Sequence, residues 1–566
     1  MTRYLRYLKL TETWRGRKTD RHVIDRFNEA YDIVFDSDDY IPDPDAIAEF
    51  ARAASKGDYD LIYCDEDLVL DNRRTKPYFK PAYSPENERS LGYISGMTAL
   101  KKGLNPDKLD GFSRHKVCHI PKVLYHRSKE RRRSDPEKPD LFFDSFHGKI
   151  SIVILSKDHP DMLEKCVSSI SDSLISDDVE VILVDNGSSD GAKRRYEEIS
   201  RAFGIRYLYS PEEFNYSDLN NYGASMAKGD ILIFMNDDVI IPRSEKGILE
   251  KMAARADGED AGAVGIKLLY PGEERIQHCG IVLLHSGPSN KLQGYKDDSY
   301  YFGYSDHDIN TIAVTGACLA VSRDRFEQLG GFDTRLPVAY NDVDLCIRLY
   351  KKRLNNICIN SRHLIHFEGA TRADDTKDRA SYERLKNERL YFTAKHGDIT
   401  DEGDPYINKN LSPYRLDFDL NLSSEWELMG MSEVLPLNGR LRNKKHVHAN
   451  LDSFEYRLSD AYGNEDFYEV TGWIFTELPS DLKPCAVIEC EGRKIVAEGF
   501  EVKRSDVGEA FPRFKKSASS GFIARIPAED TEKYDIKGSI LIRPALMDGK
   551  GRVYTGDEEC QKNAEI

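Results

Sequence analysis

The sequence of 566 residues contains no long apolar run, and its cysteines are not arranged in pairs. No stretch approaches the ~20 apolar residues that span a bilayer, and the N-terminus lacks the continuous apolar region of a signal peptide. The ten cysteines include no C-x-x-C pair, so neither a disulfide framework nor a zinc cluster is indicated. The formal net charge of −16 at pH 7 argues against nucleic acid as a partner, because phosphate binding requires a basic surface. We therefore expect a cytoplasmic protein of about two to four domains.

The most informative stretch is an apolar run that ends in an acidic cluster. Residues 231–235 are all apolar, Asn236, Asp237 and Asp238 follow them, and Pro242 comes shortly after. This pattern predicts a buried strand of a parallel sheet, and ligands of open α/β sheets bind at the carboxyl ends of such strands. Two adjacent carboxylates resist ionising together unless a cation joins them, and oxygen ligands favour Mg or Mn over Zn. A solvated pair of acids at a turn explains the same residues when they are taken alone.

Residues 31–42 repeat this plan of an apolar strand, an acidic cluster and a proline. The cluster contains Asp36, Asp38 and Asp39, which could bind a cation weakly. Too few residues precede this strand to supply the first strand and turn that a nucleotide site needs upstream of its acidic cluster. We therefore predict that residues 1–145 form a truncated copy without its own catalysis, together with a linker.

From residue 150 the chain alternates between strands and helices. Residues 150–155 predict an apolar strand, Ser156 begins a polar turn, and a helical segment leads to a second apolar strand at residues 179–184. Strand, helix and strand predict one right-handed βαβ unit. Asp185 then opens a turn rich in glycine and serine, in which a carboxylate can accept a hydrogen bond from a base or a ribose hydroxyl and the backbone can approach a nucleotide closely. Many turns of this composition bind no ligand.

Two later segments place further polar side chains near the same sheet. Residues 341–349 predict a helix with Asp342 at its start, where the helix dipole stabilises a carboxylate anion that is to accept a proton. A simple acidic helix start accounts for Asp342 equally well, and Asp344 is predicted to be structural. His366 follows another predicted strand, and a histidine at a strand end is usually only hydrogen-bonded.

Taken in order, these motifs resemble the family 2 glycosyltransferases, which have the GT-A fold. The resemblance is carried by residues 150–157, 184–191, 214–229, 234–242 and 341–348. Several motifs in one order are far more specific than any of them alone. The resemblance implies that Asp342 is the general base.

The family's binding roles also carry over to the matching residues as implications of this resemblance. Ser156, Asp185 and Asp237 would bind the nucleotide sugar, with Asp185 at the base and Asp237 beside the ribose. Asp238 would bind a divalent cation, Mg or Mn, under the diphosphate, and His366 is a candidate for a further metal ligand.

The segments before and after this domain resemble domains that accompany it in related proteins. Residues 79–85, 93–95 and 119–126 resemble the second half of the first glycosyltransferase domain in tandem family 2 enzymes of bacterial surface-polysaccharide clusters. Beyond residue 440 the apolar pattern has a period of two, which predicts the antiparallel strands of an accessory β-sandwich. Trp473 in that region is expected to be a core residue rather than a platform for stacking sugars.

The sequence therefore predicts an α/β protein with three parts. A GT-A domain with a mixed, mainly parallel sheet is expected at residues 146–425, after the partial α/β repeat at 1–145 and before the β-sandwich at 440–566. The arginine-rich stretch 126–139 is predicted to be a solvated linker, with peripheral contact to an anionic membrane surface as the alternative.

The expected reaction is the inverting transfer of a sugar from a nucleoside diphosphate donor to a saccharide hydroxyl of a polysaccharide or lipid-linked glycan. No Q-x-x-R-W motif and no membrane-spanning run follow Asp342, which argues against a processive, membrane-embedded synthase. A nucleotidyltransferase on a similar scaffold is one alternative, although the turn after the first strand is not the glycine-rich, basic phosphate loop that such enzymes use. A non-catalytic glycan-binding scaffold is the other.

Overall fold

The computed structural model divides the chain into two compact units, residues 1–421 and 422–566, and each is described by itself. The described residues are Tyr4, Leu8, Glu12, 15–35, 40–105, Phe112, 114–128, 146–284, 287–367, 379–400, 402–413, 415–421, 432–437, 441–443, 446–457, 467–477, 482–502, 504–514, 516–555 and 562–565. Among these residues, no helix combines the length and the apolar character needed to cross a membrane.

The first copy, residues 15–128, contains a six-stranded sheet. Its strands are β1 (Tyr31–Phe35), β2 (Tyr40–Pro42), β3 (Leu61–Leu70), β4 (Arg73–Tyr78), β5 (Met97–Lys101) and β6 (Val117–Arg127). Its helices are α1 (Arg21–Ala30), α2 (Ala46–Ala54) and α3 (Pro85–Leu91). The strand order is β1-β5-β3-β6-β2 with β4 paired to β3, and β3 and β6 are the parallel pair. The acidic cluster of Asp36, Asp38 and Asp39 falls between β1 and β2 and lies outside the described residues.

The second copy, residues 146–421, is built around a ten-stranded sheet. Its strands are β7 (Ile150–Ser156), β8 (Val179–Asp185), β9 (Arg206–Tyr209), β10 (Ile231–Asn236), β11 (Val239–Ile240), β12 (Ala261–Leu269), β13 (Ile276–His278), β16 (Ile309–Asn310), β17 (Cys318–Ser322) and β18 (Asn355–His366), and a separate hairpin contains β14 (Ile281–Leu284) and β15 (Gly287–Asn290). Its helices are α4 (Pro160–Ser173), α5 (Asp190–Phe203), α6 (Tyr216–Ser225), α7 (Ile248–Asp257), α8 (Arg323–Gln328), α9 (Asn341–Lys351) and α10 (Arg379–Thr400).

The main sheet of the second copy has the strand order β11-β18-β12-β17-β10-β7-β8-β9. The four neighbouring strands β10, β7, β8 and β9 pair in parallel, so their carboxyl ends lie at the same edge of the sheet. The sheet is mixed, as predicted, but parallel pairing predominates only in this half. The other half is chiefly antiparallel because β17 runs against both of its neighbours, β10 and β12.

Strand β10 is apolar along its length because both faces of the sheet are covered. Leu232 and Phe234 belong to the core on one face, whereas Ile231, Ile233 and Met235 belong to the core on the other face. All five side chains are at most 2% exposed. Burial of each stabilises the fold by about 1.5–3 kcal/mol, so the strand and the residues at its end are held firmly. The prediction of a buried strand at this place is confirmed.

The two copies share one strand order, which confirms the internal repeat. The order β1-β5-β3-β6-β2 corresponds to β10-β17-β12-β18-β11, with the same parallel or antiparallel direction at every pairing. Strands β7, β8 and β9 have no counterpart among the described residues of the first copy, where helix α1 precedes β1. The first copy thus matches only the second half of the other copy, and the division predicted at residue 145 falls inside one compact unit.

The second unit contains two sheets around a common core, as predicted for a β-sandwich. One sheet is formed by β19 (Val434–Pro436), β20 (Arg442–Asn443), β23 (Lys483–Cys490), β24 (Arg493–Glu498), β27 (Ser539–Met547), β28 (Val553–Thr555) and β29 (Lys562–Glu565). The other is formed by β21 (Val447–Arg457), β22 (Phe467–Thr476), β25 (Phe500–Val502) and β26 (Gly521–Pro527), and the helices are α11 (Ser505–Ala510) and α12 (Ala528–Lys533). Strand β19 pairs with β24, so this unit includes residues that precede the predicted start at 440.

Trp473 does not lie in the core between the two sheets, where the sequence placed it. Its neighbour Ile474 belongs to that core, and successive side chains of a strand point to opposite faces. Trp473 is half-buried on the outer face, where its ring packs against Phe475 and Phe511 at centroid distances of 6.0 and 5.7 Å. Alternation identifies the two faces of a strand, but it does not show which face a second sheet covers.

Replacement of Gly229, just before β10, should lower the stability of the fold because this residue lies against strand β7. A Cβ atom at this position would stand 2.4 Å from the backbone nitrogen of Ser151 and 2.7 Å from the carbonyl carbon of Ile150. Backbone atoms cannot turn aside as a flexible side chain does, so we expect Gly229→Ala to destabilise the first unit by about 1–3 kcal/mol. Gly191→Ala is the matched control, because no atom lies within 4 Å of its Cβ position. Urea unfolding followed by circular dichroism checks this, and equal midpoints for the two variants would contradict the close approach.

Candidate active site

Ser156, Asp185 and Asp237 lie together at the carboxyl ends of the parallel strands. Ser156 stands opposite Asp185 in the pairing of β7 with β8, and the last residue of β10 stands opposite the residue before Ser156. The hydroxyl of Ser156 donates a hydrogen bond of 2.5 Å to Oδ2 of Asp237. The structure therefore brings together the three residues that the sequence assigns to a nucleotide sugar.

Asp185 is fully buried, and its carboxylate orders the turn that follows β8. Its Oδ1 accepts a hydrogen bond from the backbone nitrogen of Ser188 at 2.9 Å, and its Oδ2 accepts one from the hydroxyl of Tyr207 at 2.7 Å. Burial, together with the hydrogen bond to Asp185, raises the pKa of Tyr207, so that this hydroxyl keeps its proton and remains a donor. Direct contact of Asp185 with a nucleotide base stays a prediction.

Asp237 is a carboxyl group in an environment that disfavours its charge. Its side chain belongs to a residue that is only 4% exposed. Burial, together with the neighbouring charge of Asp238, raises the pKa of Asp237 to about 6 despite the hydrogen bond from Ser156. At neutral pH the charged form therefore costs free energy unless a cation offsets it.

Strand pairing places His366 beside the second acid of the pair. Val239, which follows Asp238, stands opposite His366 in the pairing of β11 with β18. The backbone nitrogen of Phe367 also donates to the carbonyl oxygen of Asp238 at 3.0 Å. The Nε2 atom of His366 consequently lies 3.0 Å from Oδ1 of Asp238, which is 2% exposed.

His366 contacts three polar side chains around the acidic turn, those of Gln277, Asn236 and Asp238. Its Nδ1 lies 2.7 Å from Oε1 of Gln277 and donates its proton to that oxygen. Nε2 of the ring lies 3.4 Å from the amide nitrogen of Asn236. Oδ1 of Asp238 accepts no hydrogen bond from the part of the chain that the structure describes. A carboxylate oxygen and a ring nitrogen arranged in this way are suited to share a cation, with Gln277 fixing the ring.

This pair fits a divalent cation that takes its other ligands from a substrate. Mg²⁺ sites of phosphate chemistry use one or two carboxylates, with substrate phosphates and water completing the coordination shell. Within the described ranges, no group of three or more His, Cys, Asp or Glu side chains could hold a metal ion. Asp238 and His366 would supply two ligands of such a cation, and the assignment stays a prediction.

Asp342 lies in the first turn of α9 and is half-buried. Its Oδ2 accepts a hydrogen bond from the backbone nitrogen of Gly316 at 2.7 Å, and its Oδ1 accepts one from that of Val343 at 2.8 Å. These donors and the positive end of the helix dipole favour the carboxylate anion. Asp342 is thus held in the charge state that a general base requires, and that role stays a prediction.

The loop at residues 315–317 connects Asp342 to the acidic turn. The carbonyl oxygen of Ala317 accepts a hydrogen bond from the backbone nitrogen of Asn236 at 3.0 Å. The hydroxyl of Tyr216 donates to the carbonyl oxygen of Gly316 at 2.9 Å. A Cβ atom at Gly316 would lie only 2.7 Å from that hydroxyl, so a side chain here would displace Tyr216, and it would be in ordinary contact with Cβ of Asp342 at 3.5 Å. The acidic turn and Asp342 therefore line the same end of the sheet.

Asp344, in the same helix, is a structural residue, as expected. It is 0% exposed and lies 2.7 Å from Nε of Arg348 and 2.8 Å from Nε2 of His396. Burial alone would raise the pKa of Asp344, but the hydrogen bond from His396 and the charge of Arg348 hold it below its ordinary value. Asp344 is thus a buried carboxylate that the protein neutralises, in contrast to Asp237.

Three residues that support the site escaped the sequence analysis: Tyr196, Tyr207 and Gln277. The hydroxyl of Tyr196 in α5 lies 2.6 Å from Oγ of Ser156 and accepts a hydrogen bond from the backbone nitrogen of His159 at 2.9 Å. Tyr207 and Gln277 act on Asp185 and His366, as described above. Each supporting residue comes from a different element than its partner, so no local pattern links them. For Tyr196, the sequence does offer one indication: this tyrosine lies on the buried face of α5, where its hydroxyl group needs a hydrogen-bond partner.

One family of known proteins matches a segment of the second copy. The family described as Glycosyl transferase family 2 matches residues 151–305. This region contains one hydroxyl, that of Ser156, and three acids, Asp185, Asp237 and Asp238, whereas Asp342 and His366 lie beyond it. The resemblance to the family 2 glycosyltransferases is confirmed, and with the sheet order of the second copy it bears out a GT-A fold.

Individual relatives extend over more of the chain. It is 29% identical to the O-antigen biosynthesis protein RfbC of Myxococcus xanthus, over 65% of this chain and 33% of that protein. It is 28% identical to the uncharacterized protein y4gI of Sinorhizobium fredii, over 70% of this chain and 50% of that protein. The chain thus spans between a third and a half of the length of these relatives. Among solved structures, the mannosyltransferase PcManGT from Pyrobaculum calidifontis, in complex with GDP-Man and Mn²⁺, is 14% identical over 45% of this chain and 66% of that chain, with a TM-score of 0.34.

The contrast between Asp237 and Asp344 predicts opposite effects of the same substitution. Because the folded state raises the pKa of Asp237, the wild-type protein loses stability as the pH rises from about 4 to about 6. Asn does not titrate, so Asp237→Asn should stabilise the protein by about 1–3 kcal/mol above pH 6 and leave it unchanged near pH 4. Asp344→Asn, the matched control, should destabilise it by about 3–5 kcal/mol at neutral pH because it breaks a buried ion pair. Urea unfolding in buffer with a chelator measures both, and a loss of stability in Asp237→Asn above pH 6 would contradict this account.

Proposed function

We propose that the second copy transfers a sugar from a nucleoside diphosphate donor to a saccharide hydroxyl, with inversion, in the synthesis of a polysaccharide or lipid-linked glycan. The observation that carries this proposal is the meeting of the Asp238–His366 pair and Asp342 at one end of the sheet. The family match over residues 151–305 and the similarity to an O-antigen biosynthesis protein support the same class of reaction.

In the proposed reaction, Asp342 accepts the proton of the acceptor hydroxyl as that oxygen attacks the anomeric carbon of the donor. The bond from the anomeric carbon to the diphosphate breaks on the opposite side, so that a single displacement inverts the configuration. The backbone nitrogens of Gly316 and Val343 keep Asp342 oriented and anionic before the proton arrives. Ser156 and Asp237, joined by their hydrogen bond, contact the ribose of the donor.

Asp238 and His366 are the residues that would hold Mg²⁺ or Mn²⁺. Such a cation supplies Lewis-acid stabilisation of the charge that develops on the departing diphosphate. Gln277 contributes by holding the ring of His366 with Nε2 turned towards Asp238.

Asp342→Asn should abolish transfer while the fold persists. The amide oxygen can still accept the hydrogen bond from Gly316, but it cannot take up a proton, so turnover should fall by about 10²–10⁴-fold. Glu327→Gln is the control, because it removes an exposed carboxylate from helix α8. The assay measures nucleoside diphosphate released from a panel of nucleotide sugars with a glycan-lipid fraction as acceptor. Full activity in a folded Asp342→Asn protein would refute the assignment of the base.

Asp238→Ala should remove the part of donor binding that depends on a cation. A ligand that binds only the folded protein at 100 times its dissociation constant stabilises it by about 2.7 kcal/mol. We therefore expect nucleotide sugars to raise the melting temperature of the wild type with Mn²⁺ and less with a chelator. The Asp238→Ala protein should show the smaller effect under both conditions. An equal Mn²⁺-dependent rise in the variant would show that Asp238 is not a metal ligand.

A further inference from the structure

Arg114 of the first copy contacts the helix of the second copy that carries Asp342. Its guanidinium carbon lies 4.5 Å from the centroid of the ring of Tyr350, in the last turn of α9. Its Nη2 donates a hydrogen bond of 2.8 Å to the hydroxyl of Tyr406 and another to the side-chain oxygen of Asn355, the first residue of β18. One guanidinium thus joins the end of α9, the start of the next strand and the segment that follows α10.

Arg114 lies at the position in the first copy that corresponds to helix α9 of the second copy. In the second copy, helix α9 lies directly before β18. In the first copy, the counterpart of β18 is β6, and Arg114 lies directly before β6 in a short 3₁₀ turn. Arg114 therefore occupies the position in the first copy that corresponds to helix α9 in the second copy. From that position it contacts α9 itself.

A buried polar network anchors the segment that carries Tyr406 to the first copy. Asp65 is 0% exposed, and both of its oxygens lie 3.0 Å from the amide nitrogen of Asn408. The same amide nitrogen donates to the carbonyl oxygen of Lys80 at 2.8 Å, and Asn410 donates to Asp65 at 3.2 Å. Buried hydrogen bonds to a carboxylate are strong, so this segment has little freedom to move relative to the first copy.

Apolar packing continues across the same boundary. The rings of Tyr78 and Phe302 stack at a centroid distance of 4.0 Å, and the hydroxyl of Tyr301 lies 3.0 Å from the backbone nitrogen of Phe79. Tyr301 and Phe302 pack against an apolar cluster of the first copy. The first copy is thus a rigid support for Arg114, and not a mobile appendage.

We propose that Arg114 is a positioning residue for the transfer reaction: through it, the first copy braces helix α9 at its C-terminal end and so fixes Asp342 at the other end. This inference rests on the proposed role of Asp342. Stacking of a guanidinium on an aromatic ring, and a cation near the C-terminal end of a helix, both stabilise that end. A helix is stiff over this length, so a constraint on Tyr350 also restricts where its first turn can lie.

Hydrogen–deuterium exchange of the full chain tests the brace without any need for activity. We expect Arg114→Ala to speed exchange at residues 341–351 by about fivefold to thirtyfold, the effect of losing 1–2 kcal/mol, while β10 keeps the wild-type rates. Arg114→Lys keeps the charge but loses the planar stacking group, so it should give a smaller increase. Lys101→Ala is the matched control, because it removes a positive charge of the first copy from an exposed ion pair with Asp58.

Several outcomes of the exchange experiment would overturn the brace. Wild-type rates at α9 in Arg114→Ala would do so, and so would an equal acceleration in α9 and β10, since that reports a general loss of stability. If Arg114→Ala does not fold, Arg114→Lys decides the question, and unchanged exchange at α9 in that variant overturns the proposal.

Steady-state kinetics with the nucleotide sugar that the wild type uses add a second readout. A misplaced Asp342 should lower kcat severalfold in Arg114→Ala while KM for the donor stays at the wild-type value. The proposed donor residues lie at the ends of β7, β8 and β10, and His366 lies at the opposite end of β18 from Asn355, which Arg114 contacts. Wild-type values of both constants would overturn the positioning role. If the wild-type protein transfers no sugar, the proposed function fails, whereas the exchange experiment still decides whether Arg114 braces α9.

Discussion

The site depends on two neighbouring carboxylates, Asp237 and Asp238, that are buried at the end of an apolar strand. Asp344 is buried to a similar degree, but the charges of Arg348 and Lys395 neutralise it, and the ring of His396 lies within hydrogen-bond distance of it. The acid pair instead faces a hydroxyl and an imidazole, whose hydrogen bonds leave one carboxylate oxygen without a donor among the described residues. The cores on both faces of β10 hold these charges in place against their cost. The fold thus maintains a local negative charge that a cation and a substrate can use.

Features that depend on local periodicity could be predicted from the sequence. The run of residues 231–235 identified β10 because a strand buried on both faces must be apolar at every position. Asp342 could be placed at a helix start because capping and amphipathic spacing are local patterns. The repeat was visible because residues 31–42 carry the same order of apolar, acidic and proline positions, and its strand order proved to be that of the second copy.

Features that depend on contacts between distant elements could not be predicted. Trp473 was assigned to a core because alternation does not show which face of β22 a second sheet covers. Tyr207 and Gln277 support Asp185 and His366 from other strands, and no spacing in the chain relates them. The packing of both copies into one compact unit likewise arises from side chains such as Asn408, which looks like an ordinary loop residue in the sequence.

Near the end of β6, the first copy contains a buried carboxylate, Asp67, that is paired within that copy. Whereas His366 is the last residue of β18, His126 lies one residue before the end of β6 and stands opposite Ile41 of β2. Its Nδ1 lies 2.5 Å from Asp67, whose other oxygen lies 2.6 Å from Arg74, so these charges are satisfied within the chain. Whether the first copy lacks catalysis stays a prediction, but Asp67, unlike Asp238, is paired with a cation of its own copy, Arg74. A carboxylate paired in this way supports the structure of its own copy, whereas Asp238 has one oxygen that accepts no hydrogen bond from the described residues, an arrangement that suits the proposed binding of a cation.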